Sequence, residues 1–154
     1  MRIGVISDTH GFLHPDVPAL FAGVDHIIHA GDVGDRVVLD SLRAVAEVTA
    51  VSGNMDTDDL RAELPVEARG DISGIRFLVG HLQRELPSRH ENPAGEGFDI
   101  VVCGHTHRAY ADWHDGVLYL NPGSATAPGP GEQPSLAVVE VDSVGLDPRI
   151  IPLD

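Results

Sequence analysis

Five short polar motifs carry the residue types that bind cations: Asp8-Thr9-His10, Gly31-Asp32, Gly53-Asn54, Gly80-His81 and Gly104-His105-Thr106-His107. Each sits where an apolar, strand-like run stops. Together they offer two aspartates, one asparagine and four histidines. That is more than one ion ordinarily takes (about six donors) and enough for two. Asp8 and His10 are two residues apart, so in an extended segment both side chains point the same way and can serve one ion. Asp32 has two carboxylate oxygens and can bridge two ions. The Asn54 amide oxygen is a neutral ligand suited to a hard cation. His105 and His107, again two apart, can serve one ion or two neighbouring ones. Gly31, Gly53 and Gly104 precede candidate ligands, where a glycine allows a sharp turn or close approach. No cysteine belongs to the set. Oxygen and nitrogen donors favour Mn²⁺, Fe or Zn²⁺, with Ni²⁺ or Mg²⁺ as alternatives, over thiophilic ions. A lone Asp-x-His, Gly-Asp or Gly-Asn is ordinarily a turn. The specificity lies in all five motifs occurring in this order at strand ends.

The elements that would position them can be read from the apolar periodicity. Ile3 to Ile6 reads as a buried strand, Pro15 to Phe21 as one or two helical turns, and Val24 to His29 as a second strand. Gly34-Asp35 opens a helix with Val37, Val38, Leu42 and Val45 on its apolar face. Glu47 to Val51 is a third strand. This β-α-β-α-β order predicts a parallel sheet with right-handed crossovers. Open sheets of this kind build ligand sites outside the carboxyl ends of their strands. In the second half Ile75 to Val79, Asp99 to Cys103, Arg108 to Trp113, Gly116 to Leu120 and Ser135 to Val141 read as strands. Asp115-Gly116 is a hairpin turn signal. Leu82 to Gly97, broken by prolines and glycines, reads as a short helix and then a loop. Thr126 to Pro134 reads as an ordinary connection, with a mobile flap near the site as the alternative. Two packed sheets flanked by helices accommodate both halves.

The bulk numbers fit this reading. A chain of 154 residues with 42% hydrophobic content suits one domain, residues 1–154, with its own core. The net charge of -14 argues against a duplex nucleic-acid partner, which needs Lys and Arg to neutralise phosphates. Bound cations would cancel part of that charge. Cys103 is the only cysteine. It lies in an apolar run and reads as a buried small hydrophobe. No apolar run approaches membrane-spanning length and no signal-peptide pattern opens the chain, so a soluble cytoplasmic protein with no membrane partner is expected. His26 and His29 read as satisfied core histidines, and His14, His90 and His114 as exposed turn residues.

The ordered motifs resemble the calcineurin-like metallophosphoesterase superfamily, whose pattern runs Asp-x-His, Gly-Asp, Gly-Asn, His, Gly-His-x-His. Ser7-Asp8-Thr9-His10-Gly11 and Asn121-Pro122-Gly123-Ser124 make the chain similar to the small YfcE-like phosphodiesterase branch. The resemblance runs from Arg2 to about Val141. It implies a four-layer α/β/β/α sandwich of two mixed β-sheets flanked by helices, the metallo-dependent phosphatase fold. It implies one ion at Asp8, His10, Asp32 and His107, and another at Asp32, Asn54, His81 and His105, with Asp32 bridging. Mn²⁺ is the first choice for both. Counting from Arg76-Phe77, His81 falls on the family's ligand histidine; a one-residue gap would put Val79 there instead. Many members carry a histidine after Gly-Asn, where this chain has Met55. A thioether donates no proton, so an acid there would have to be Asp56 or a water.

The implied activity is hydrolysis of a small phosphoester, foremost a phosphodiester. A hydroxide bridging the metals would attack phosphorus, with Asp32, Asn54 and His81 at the reacting centre. Asp56, Arg108, Asn121 and Ser124 are candidates to contact substrate or to support the ligands. Small members of the branch often associate, which implies a homo-oligomer. The alternatives are a non-catalytic scaffold like the retromer subunit of the same fold, or a small phosphomonoesterase or nucleotidase.

Overall fold

Strand β1 (Arg2–Ile6) forms where small and apolar residues run together, and all but its first residue are buried. Such a strand needs packing on both faces. Ile3 and Val5 point into one core, and Ile6 into another. Gly4 leaves room on its face for the Phe21 ring, which a Cβ would meet at 2.8 Å. The structure is a computed structural model and describes residues 1–82 and 92–154.

β1 lies at the centre of a five-stranded sheet. β2 (His26–His29) pairs with it in parallel and β3 (Glu47–Ala50) continues in parallel beyond β2. On the other side β9 (Ser135–Val141) runs antiparallel to β1, and β10 (Leu146–Pro152) antiparallel to β9. The second sheet has the order β4 (Glu67–Ile72), β5 (Ile75–Gly80), β6 (Ile100–Val102), β8 (Val117–Asn121), β7 (Tyr110–His114). Here β5, β6 and β8 are mutually parallel and the outer two strands antiparallel. The fold is the expected α/β sandwich of two mixed sheets.

Side-chain alternation sorts the interior into three layers. Ile3, Val5, Ile28, Ala137 and Val139 of the first sheet pack against Phe77, Val79, Ile100, Val102, Leu118 and Leu120 of the second. The outer face of the first sheet is covered by α1 (Val17–Leu20), α2 (Arg36–Arg43) and α3 (Asp58–Glu63), through Val17, Val38, Leu39, Leu42 and Leu60. The outer face of the second sheet packs Leu78, Val101, Cys103 and Val117 with Phe98 and Ala94. Much of the expected helix and loop over 82–97, His90 included, lies outside the described residues. No helix among the described residues is long and apolar enough to cross a membrane.

Several elements differ from expectation for identifiable reasons. Val37 is 64% exposed and Leu39 takes its place in the core. With Asp35 as the N-cap accepting from the Val37 N–H, the 100° step per residue puts 38, 39 and 42 inward and 37 outward. Residues 58–63, for which the apolar periodicity predicts no element, form α3 behind its N-cap Thr57. Strand β4 has little apolar character because it is an edge strand. β10, another edge strand, tolerates Pro148 and Pro152 for that reason. Asp115-Gly116 does make a hairpin turn, and Ser73-Gly74 makes a second with the same pair of positive φ angles. Cys103 is buried as expected, and burial pushes its thiol up to about 11.

The helix face gives a direct check. Leu39→Ala should cost about 2–5 kcal/mol in urea unfolding, whereas Val37→Ala should stay within about 0.5 kcal/mol. Similar losses from both would refute the packing described.

Candidate metal centre

The five motifs lie at the carboxyl ends of β1, β2, β3, β5 and β6, so parallel pairing gathers them on one edge of the sandwich. Among the described residues seven non-glycine residues have positive φ. Five of them are candidate ligands: Asp8 (55°), His10 (49°), Asp32 (52°), His105 (69°) and His107 (58°). The left-handed region is sparsely populated by such residues, and its concentration here marks a site whose surroundings hold it in place. It also corrects the expectation of extended segments. Asp8 and His10, like His105 and His107, reach a common side through left-handed turns.

Backbone contacts hold these turns. The Asp8 N–H donates to Gly31 O (3.0 Å), His10 N–H to Asp32 O (3.0 Å) and Gly11 N–H to Val33 O (2.7 Å). The loops after β1 and β2 therefore continue the pairing of their strands. Close approach accounts for two glycines: a Cβ on Gly53 would collide with the Asp32 carboxylate, and one on Gly104 with the Ser7 hydroxyl.

The side chains converge on Asp8, which is fully buried. Its Oδ2 accepts from the Ser7 hydroxyl (2.5 Å) and the His105 N–H (3.2 Å). Its Oδ1 faces the Nε2 atoms of His107 (3.1 Å), His10 (3.9 Å) and His81 (3.9 Å). Asp32 gives Oδ1 to the Met55 N–H (2.8 Å), and its Oδ2 lies 3.2 Å from His81 Nε2. Two groups result, Asp8–His10–His107 and Asp8–Asp32–His81. Asp8 is common to both, where the resemblance implies Asp32 as the bridge. On the exposed side His105 Nδ1 lies 3.1 Å from Asn54 Oδ1, and the His105 and His81 rings are 5.2 Å apart. His81 thus stands among these donors, while Val79 is buried in the apolar core.

The donor set fits a cation. His81 Nδ1 bonds the Ala30 carbonyl at 2.8 Å and so carries the hydrogen of the neutral ring. The lone pair is then on Nε2, which is buried without a hydrogen-bond partner and faces two carboxylates. Three electron-rich atoms converging in a buried place require a proton or a metal among them. Without metal the proton is favoured there. Burial favours neutral His81, but Asp32, Asp8 and the Ala30 carbonyl outweigh it and hold its pKa above the ordinary value. Burial also raises Asp8, partly offset by Ser7 and the histidines. Burial pushes Asp32 the same way, but His81 and the Met55 N–H outweigh it and set Asp32 below the usual range.

The remaining candidates divide clearly. Asn121 and Ser124 are fully buried and support backbone. Asn121 Nδ2 donates to Gly104 O (3.0 Å) and Ser124 Oγ to Asp8 O (2.9 Å). Asp56 is buried, with both carboxylate oxygens accepting backbone N–H groups, which is not the posture of an acid for a leaving group. Arg108 is exposed beside the loop at Gly129. Met55 is exposed next to the Asn54 ligand position. The connection 126–134 proves to run against the site: Gly129 N–H donates to His107 O (3.0 Å) and the Thr126 hydroxyl to Asp8 O (2.9 Å). His14, expected to be exposed, is half-buried and bonded to the Asp154 carbonyl oxygen. Ser7 and Thr126 were not among the candidates. Ser7 directly precedes the first motif and Thr126 follows Asn-Pro-Gly-Ser, but a hydroxyl carries no distinctive sequence signal.

Comparison with known proteins agrees with the motif pattern. Residues 1–144 match the calcineurin-like phosphoesterase superfamily domain. A Methanocaldococcus jannaschii protein named "probable metallophosphoesterase" is 39% identical over 144 residues, covering 83% of this chain and 70% of that one. The phosphodiesterase YfcE of Escherichia coli is 31% identical over 169 residues, covering 92% of this chain and 89% of that one. Among solved structures, an archaeal phosphodiesterase superposes with TM-score 0.76 at 26% identity, covering 99% of this chain and 100% of that one. Vps29 of Entamoeba histolytica superposes with TM-score 0.74 at 22% identity over 100% of both chains, which shows the fold alone.

His29 shows how the site's floor depends on pH. The Thr9 hydroxyl donates to Val33 O (2.8 Å), so it accepts from His29 Nε2–H (3.0 Å), while the Gly31 N–H donates to Nδ1 (3.2 Å). Burial, reinforced by His81, pushes the pKa of this neutral ring down to about 3. The unfolded ring titrates near 6.5. Its contribution to stability is therefore complete above pH ~6.5 and is lost as the pH falls towards ~3. In urea unfolding of the metal-free protein between pH 6.5 and 4, His29→Gln should flatten the acid loss by on the order of 1.4 kcal/mol per pH unit. An unchanged slope would refute a neutral His29.

Proposed function

The chain belongs to the calcineurin-like phosphoesterase superfamily, and on that footing we propose that it is a metal-dependent phosphodiesterase acting on a small phosphoester at a dinuclear site, with Mn²⁺ as the preferred ion. The observation that carries this reading is the buried convergence of His81 Nε2, Asp8 Oδ1 and Asp32 Oδ2, which a proton or a cation must relieve. Asp8, His10, Asp32 and His107 would hold one ion; Asp32, Asn54, His81 and His105 the other. Bound divalent ions would supply Lewis acidity towards a phosphoryl oxygen and lower the pKa of water.

The chain's own residues do the rest. The Ala30 carbonyl fixes the His81 tautomer. Ser7 and the His105 N–H hold Asp8 so that Oδ1 stays available. Asn54 and His105 stand at the exposed side, where a substrate would meet the site first. Beside them Met55 cannot donate a proton, and Asp56 is engaged by backbone. With no side-chain acid there among the described residues, departure is easiest for an alcohol that leaves as a stable anion. This supports a preference for activated diesters.

The test is hydrolysis of bis(p-nitrophenyl) phosphate beside p-nitrophenyl phosphate, after chelation and after Mn²⁺ is restored. Activity that depends on Mn²⁺ and favours the diester is expected. Asp32→Ala should lower kcat by about 10²–10³-fold with the fold retained. Full activity after chelation would refute the metal dependence. Inertness towards both esters with Mn²⁺ bound would favour the non-catalytic scaffold.

A further inference from the structure

We propose that Asp56 is a positioning residue, whose carboxylate sets the loop carrying Asp32 against the loop carrying Asn54 and thereby governs affinity at the second cation position. The proposal rests on the dinuclear reading above. Asp56 is 6% exposed. Its Oδ1 accepts the Gly34 N–H at 2.9 Å, and its Oδ2 accepts the Gly53 N–H at 2.7 Å. Gly34 lies two residues after Asp32, and Gly53 directly precedes Asn54. One carboxylate thus spans the loops after β2 and β3 at the point where each presents a ligand.

The surroundings make this span consequential. The Asp56 N–H closes its own turn on Gly53 O at 3.2 Å, so side chain and backbone fix the same loop. The Met55 N–H on Asp32 Oδ1 is a further tie between the loops. Gly34, at φ 87°, is pressed so closely on His10 and Gly11 that a Cβ would collide with their backbone. Moving Gly34 would therefore disturb both Asp32 and His10. Only a carboxylate accepts at both ends. A carboxamide accepts with its oxygen and turns an N–H towards the other donor. Charge-assisted bonds to two backbone donors are also stronger than their neutral counterparts.

Equilibrium dialysis against Mn²⁺ with elemental analysis tests the idea without reading activity. The wild type should bind two ions. Asp56→Ala should weaken the second by about 10–100-fold, and Asp56→Asn by less, since half of the span survives. Leu60→Ala, which removes a core side chain of α3, is the matched control: it should lower Tm and keep both affinities. In the diester assay Asp56→Asn should raise the half-saturating Mn²⁺ concentration while kcat at saturating Mn²⁺ stays within a few-fold. If Asp56→Ala does not fold, Asp56→Asn carries the test alone. Wild-type affinity in the Asp56 variants, or an equal loss in Leu60→Ala, would overturn the proposal. A wild-type protein that takes up no second Mn²⁺ would overturn the dinuclear reading and this proposal with it.

Discussion

The burial of the Asp8 carboxylate is the constraint around which the molecule is arranged. A charged group at the end of a central strand is costly unless its partners are supplied, and here they come from the whole chain. The loop after β2 accepts its N–H, Ser124 and Thr126 both donate to its carbonyl oxygen at 2.9 Å, and Ser7 and the His105 N–H hold one carboxylate oxygen. The other oxygen meets three histidines. These contacts fix the left-handed turn at Asp8, and the neighbouring loops take their positions from it.

The sequence made the chemistry legible before the architecture. Asp, Asn and His at strand ends are readable because cation binding demands those types, and the first parallel strands were readable because β1 and β2 carry short apolar stretches between turn residues. What stayed hidden depends on context. β4 and β10 are edge strands, so burial leaves little imprint on them. Val37 was misplaced because adjacent valines of equal hydrophobicity do not reveal which of the two faces the core, even with the helix opening at Asp35 in hand. The left-handed ligand turns were not readable, since Asp and His visit positive φ more often than most residues yet lie elsewhere in the great majority of cases. Asn121, Ser124 and Asp56 stood out as polar residues near the motifs. Only their partners show that they brace backbone.

The candidate ligands are divided between the sheets. Asp8, His10, Asp32 and Asn54 follow strands of the first, and His81, His105 and His107 follow strands of the second. Between these strands the contact is apolar and weakly directional. Apolar packing alone permits small sliding of one sheet over the other. The directional contacts at the strand ends, His81 on Ala30 O and the His105 N–H on Asp8, oppose such sliding where the geometry of the centre is most sensitive to it.

The position of β1 also bears on how the chain acquires its form during synthesis. Arg2 pairs with Glu140 and Val5 with Ala137, so β1 receives one of its two neighbours only after residues 135–141 have been made. Until residues 135–141 leave the ribosome, one side of β1 presents unpaired backbone groups, the condition under which strands associate wrongly. The Ser124 and Thr126 hydroxyls that brace Asp8 arrive equally late. The nascent chain therefore carries most of the cation-binding side chains before the contacts that brace Asp8 can form.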